Sequence, residues 1–222
     1  MNKSIYSLVL SDRLIDEIDK IAYLKGSSRS NIINGILAEY LSYSTPEQNM
    51  ENIFRNLQSH INGSSRFQII NQPSSSMFSV KSILKYKYNP TVKYSVELRK
   101  NGGGVVGDLK ISFRTQSGSF IELLNSFFRL WSALEDKYIS DFFDGGKIPR
   151  HTEPGRFVRT LLLPNDKKDR STERIGQTIG SYILMFDDVM KEFFSSSGDL
   201  EKAALKAEKK YIDYLKQGII IM

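Results

Sequence analysis

Residues 4–42, SIYSLVLSDRLIDEIDKIAYLKGSSRSNIINGILAEYLS, read as one short strand followed by two amphipathic helices. Alternation sets Tyr6, Leu8 and Leu10 on one face of the strand, with Ile5, Ser7 and Val9 on the other. Ser11 or Asp12 offers a cap for a first helix, in which Leu14, Ile18, Ile21 and Ala22 recur at helical spacing until Gly26 ends it. Ser28 is a second cap. Ile32, Ile33, Ile36, Leu37, Tyr40 and Leu41 then line one side of a second helix that fades at Pro46. A lone strand must find a partner, and a unit this small holds too little core to fold by itself. The pattern therefore predicts an intertwined dimer, with residues 6–10 of two copies paired antiparallel across a two-fold axis.

Over residues 4–45 the chain resembles the ribbon-helix-helix family, the MetJ, Arc and CopG type of DNA-binding protein. The matching signs are the alternating strand ending Leu10-Ser11-Asp12, the helix Leu14 to Lys25, the Gly26 turn, and Ser28-Arg29-Ser30 opening the second helix. The resemblance implies a two-stranded ribbon entering the major groove, with Ile5, Ser7 and Val9 meeting base edges. It also implies phosphate contacts from Lys3, Ser28, Arg29 and Ser30. Elementary electrostatics agrees with the second site, because unpaired N–H groups and the positive end of the helix dipole favour an anion there. The ribbon itself departs from the family's polar or basic habit. Ser7 can hydrogen-bond to bases or phosphate, whereas Ile5 and Val9 can only touch thymine methyls or sugars. The module is also neutral: over residues 1–46, Lys3, Arg13, Lys20, Lys25 and Arg29 are balanced by Asp12, Asp16, Glu17, Asp19 and Glu39. The same module could serve dimerisation alone.

At 222 residues the chain leaves room beyond this module for a second core. A polar stretch with Pro46, a linker or the start of a helix, and a short amphipathic helix carrying Ile53, Phe54, Leu57 and Ile61 make residues 47–64 a linker or helix segment. The patterning predicts a division into residues 1–46, 47–64 and 65–222. After a short strand at 67–70 the period changes to two across residues 77–115, with turns at Asn89-Pro90 and Asn101 to Gly104, which predicts an antiparallel meander. That segment holds eight basic residues against two acidic ones, an excess equal to the whole chain's net charge of +6. Lys85, Lys87, Lys93 and Arg99 on it are candidates for a second nucleic-acid surface. Lysines solvating the outer face of a half-buried sheet explain the same pattern.

Helices then follow. A broad apolar stripe from Phe120 to Tyr138 predicts a helix over 119–142 that covers the sheet, with Trp131 in the core. Residues 144–155 read as irregular, 156–163 as a strand, and two further helices carry Ile175 to Phe193 and Leu200 to Leu215. Gly176 and Gly180 have the spacing that permits close helix contact. The apolar tail Ile219 to Met222 should dock as an edge strand or at a subunit interface. The fold class is α+β: a ribbon-helix-helix module plus an antiparallel sheet covered by long helices.

No catalytic signature is present. The chain has no cysteine, and His60 and His151 belong to no metal or acid-base motif, although His151, Glu153, Arg150 and Arg156 are neighbours. Asp187 and Asp188 are adjacent on a helix and point about 100° apart, so they form no carboxylate dyad. Gly102 to Gly104 lacks the Lys-Ser/Thr of a phosphate-binding loop. With neither a secretory signal nor an apolar run of membrane-spanning length, the expectation is a cytoplasmic protein that is no enzyme and uses no cofactor or metal. Its partners would be double-stranded DNA, a second copy or higher oligomer, and a protein met by the C-terminal domain, without membrane contact. Its expected role is sequence-selective transcriptional regulation, with an accessory factor of plasmid partition or conjugative transfer and an antitoxin-like interaction module as alternatives.

Overall fold

The structure, a computed structural model, describes residues 7–41, 44–70, 74–87, 89–100 and 103–218. They fall into two compact units, residues 1–49 and 50–222.

In the first unit, α1 (Asp12–Leu24) and α2 (Arg29–Tyr40) are joined by a short turn in which Gly26 takes φ 56°, a left-handed conformation that costs a glycine nothing. Ser11 precedes α1 in extended conformation. Ser28 caps α2, its hydroxyl accepting from the Asn31 N–H at 3.3 Å. Ile18, Ala22 and Ala38 are buried. No strand is formed at residues 7–11 among the described residues. A ladder needs a second strand, and the described part of a single copy offers none. Tyr6, Ile5 and Lys3 lie outside the described residues, as does the tail from Ile219.

The second unit is an α+β fold. Its sheet has the order β1-β2-β3-β4-β6-β5 and is antiparallel throughout, with β1 Gln68–Ile70, β2 Met77–Ile83, β3 Thr91–Leu98, β4 Val105–Phe113, β5 Arg150–Glu153 and β6 Arg156–Leu162. The inward residues Val80, Val92, Tyr94, Val96, Leu109, Ile111 and Phe157 share one core with α4 (Gly118–Tyr138) and α5 (Thr172–Ser195). Ring contacts tie the layers: Phe128 on α4 meets Phe157 on β6 at 5.7 Å, and Phe127 meets Phe186 on α5 at 5.4 Å. Trp131 is fully buried against Phe186, Tyr182 and Tyr211, the last on α6 (Leu200–Lys216), and donates its indole N–H to the Tyr182 hydroxyl at 3.0 Å.

Three boundaries differ from the sequence expectation. The helix expected on Ile53, Phe54, Leu57 and Ile61 starts earlier, because α3 runs Pro46–Asn62, and it buries Met50, Ile53, Leu57 and Ile61 in the same core. Thr45 and Gln48 close its first turn reciprocally, Gln48 N–H to the Thr45 hydroxyl at 3.2 Å and Thr45 N–H to the Gln48 side chain at 2.9 Å. The helix expected over 119–142 stops at Tyr138. Single turns follow at Ser140–Phe142 and Asp144–Gly146, and they allow Ile139, Phe143 and Ile148 to gather in a small cluster of their own. The irregular segment before Gly155 contains β5, whose polar residues Arg150, His151, Thr152 and Glu153 carry no apolar alternation to announce it.

The paired glycines act as their spacing implied. A Cβ on Gly176 would stand 2.6 Å from the Ile53 carbonyl oxygen, so α5 meets the backbone of α3 there, and one on Gly180 would stand 2.8 Å from the His60 ring. Among the described residues no helix is long and apolar enough to cross a membrane.

Candidate nucleic-acid interface

Amides in the first turn of a helix have no acceptor within it. At α2 the Ser28 hydroxyl takes the Asn31 amide, which leaves the Arg29 and Ser30 amides at an exposed helix start. Arg29 itself is engaged. Its guanidinium forks onto Asp19 of α1, with Nε donating to Oδ1 at 2.7 Å and Nη2 donating to Oδ2. The fork holds the Asp19 carboxyl below the usual carboxylate range, first through the hydrogen bonds and then through the nearby positive charge. Both side chains are about half exposed, so the pair is open to exchange with a phosphate oxygen. No sequence spacing announced this pair; it arises because the Gly26 turn brings the start of α2 back beside the middle of α1.

The strand segment places Ser7 and Val9 in solvent, and Leu8, assigned to the inner face, is 62% exposed. Leu14, Leu24, Ile36, Leu37 and Leu41 are exposed as well. A helix pair that shows this many leucines and isoleucines to water carries an apolar surface beyond what scattered surface residues account for.

The second candidate surface is rearranged. Arg99 is tied to Asp108, its Nη2 donating at 2.6 Å, and Lys85 and Lys87 sit in the connection after β2 rather than on a strand. Tyr86 between them turns inward onto Phe120 and Phe194. Lys93 does lie on the open sheet face. Its cross-strand partner is Lys81, which the alternation had set on the charged side without singling it out.

Two buried polar networks sit inside the second unit. Asp187 accepts from Ser82, Tyr94 and Lys191, while its neighbour Asp188 turns to Arg66 and Tyr214, so the two carboxylates diverge. Glu135 and Arg159 are both fully buried; Arg159 Nε donates to Glu135 Oε1 at 3.1 Å, and Tyr182 donates to the same oxygen at 2.9 Å. Burial lifts the Glu135 carboxyl above its ordinary range against the pull of Arg159. His151 contacts Glu153 at 3.2 Å on the exposed edge strand, and His60 contacts the Ser181 hydroxyl at 2.9 Å. These partners hold sheet, α4 and α5 together. Among the described residues no group of three or more His, Asp or Glu is placed to hold a metal.

No protein-family model, curated protein or solved structure matches the chain.

Proposed function

We propose that the chain is a homodimeric, sequence-selective double-stranded DNA-binding protein that acts as a cytoplasmic regulator of transcription. Residues 6–10 of two copies form the ribbon that enters the major groove, Ser7 reads base edges, and the start of α2 takes a phosphate. The observation that carries the reading is the unsatisfied state of the first unit. Among the described residues its strand segment pairs in no ladder, and Leu8, Leu14, Ile36 and Leu37 are exposed although strand and helix periodicity assign them to an inner face. A second copy related by a two-fold axis supplies both missing parts at once, the partner strand and the cover for the leucines. The capped α2 with its free first amides then lies on the outside of that dimer's helix pairs, where an anion can reach it.

The test is selection of bound fragments from random duplex DNA by the full chain, followed by a footprint on the winner. Enrichment of a two-fold symmetric site is the expected result. Recovery of no preferred sequence would count against it. An accessory DNA-binding factor of partition or transfer shares this step and differs only in what the bound complex recruits.

The Arg29–Asp19 fork and the neutral charge of residues 1–46 favour a second reading, in which the module only dimerises and the chain is an antitoxin-like interaction protein. Duplex binding that weakens steeply with salt separates the two readings.

A further inference from the structure

The register of the sheet brings Gln68, Lys81, Lys93, Ser112, Arg156 and Glu153 into one transverse row, one residue from each of the six strands. All six point away from the helix-covered face, because their neighbours along the strands, among them Val80, Val92, Ile111 and Phe157, are buried in the core. Lys81 and Lys93 stand directly opposite each other, a like-charge pairing that costs stability when nothing neutralises it. Elsewhere on the charged rows cations have acids: Lys110 reaches Glu97 at 2.6 Å, Arg99 reaches Asp108, and Arg156 reaches Glu153 at 3.3 Å. Among the described residues neither Lys81 nor Lys93 has such a partner. Protection of a sheet edge does not explain them either, since β2 and β3 are interior strands and the edges are β1 and β5.

We infer that the row Lys81–Lys93–Arg156 is a contact surface for the phosphodiester backbone of the DNA that the chain binds. The inference rests on the proposed DNA-binding reading and names where its electrostatic affinity comes from. Residues 1–46 carry no net charge, while the segment holding Lys81 and Lys93 carries an excess equal to that of the whole chain, so a polyanion is attracted to the second unit. With strands about 4.8 Å apart, the three cations span about 14 Å, long enough to follow several phosphates along a backbone. Gln68 and Ser112 in the same row add neutral donors. The anion removes the repulsion between the two lysines, and Arg156, which in the free chain reaches Glu153, joins the contact by exchanging that exposed acid for a phosphate. Lys85, Lys87 and Arg99 are not part of the row.

The experiment titrates full-length protein against the duplex selected above, and against a scrambled duplex, at several salt concentrations. It compares the wild type with the triple variant Lys81→Gln, Lys93→Gln, Arg156→Gln and with a control of equal charge change on exposed positions of α6, Lys202→Gln, Lys209→Gln, Lys216→Gln. Circular dichroism confirms that each variant is folded. Loss of three phosphate contacts flattens the slope of log K against log salt by about 2.7 per chain engaged, so between 50 and 200 mM salt the wild type should lose about 40-fold more affinity than the row variant for each chain engaged. The loss should be alike on both duplexes, and the α6 control should retain the wild-type slope. An unchanged slope in the row variant, or an equal drop in the α6 control, overturns the inference while leaving selective binding by the first unit intact. Row-dependent binding of polyglutamate with an unchanged DNA slope overturns it in favour of an acidic protein. Failure of the wild type to bind any duplex removes this inference and the DNA-binding reading together.

Discussion

Arg29 is held by Asp19 at the start of α2, and on the proposed DNA-binding reading the carboxylate and a phosphate would compete for this one guanidinium. Asp19→Asn removes the competing charge and should tighten duplex binding, raising the salt slope by up to about one unit per chain. Arg29→Ala should weaken all sequences alike and lower it by about one unit. Fluorescence anisotropy across a salt series reads both, and identical curves for the two variants would remove Arg29 from the interface. A second residue-scale outcome concerns Glu135, which is fully buried with Arg159. Glu135→Ala takes the carboxylate from the buried Arg159, leaving its charge to backbone carbonyls such as that of Thr160, and should cost about 3–5 kcal/mol, read from denaturant unfolding. Because the folded chain raises the Glu135 pKa, the group binds its proton more tightly in the folded state than in the unfolded one. Its contribution is therefore fully present below the ordinary value of 4.5 and is lost as pH rises through the folded pKa. Relative to Glu135→Gln, which does not titrate, the wild type should lose stability on going from pH 4.5 to 7. A pH-independent difference between the two proteins would contradict this.

At the scale of elements, the α3–α5 contact makes two glycines unequal. The Cβ of Gly176→Ala would press on the Ile53 backbone, which cannot move without shifting α3, and overpacking of that kind costs about 1–3 kcal/mol. Gly180→Ala meets the His60 side chain, which can swing aside, so its melting temperature should fall less. The reverse order would mean that the helices are not seated this closely. The spacing of these glycines, the alternation of β2, β3 and β4, and the stripes of α4, α5 and α6 were all legible in the sequence, because each repeats a period over many residues. Thr45-Pro46-Glu47-Gln48 was legible in principle: it is a reciprocal cap with proline at the first helical position, and the stretch reads as polar linker only when Pro46 is taken as a breaker. Residues 150–153 gave no such signal. They are held by pairing with Arg156 to Arg159 rather than by any pattern of their own, and the same non-local pairing hid the Lys81–Lys93 row until the register was known.

At the scale of the whole molecule, the sheet unit closes its core within one chain, whereas among the described residues of the first unit Leu8, Leu14, Ile36, Leu37 and Leu41 stay exposed. The sequence showed why in its own terms, since one strand and two short helices supply an apolar face without a second layer to cover it. The consequence is that folding of residues 7–41 and assembly should be linked. On the proposed dimer, Leu8→Asp would put an unpaired charge between the two copies and should abolish assembly together with selective DNA binding, while the sheet unit stays folded by near-ultraviolet circular dichroism. The most direct test is sedimentation equilibrium of the full chain at micromolar concentration, alone and with the selected duplex. The account predicts a mass of two chains without DNA and two chains per duplex with it. A single-chain species whose first unit remains folded, or a complex of one chain per duplex, would contradict it.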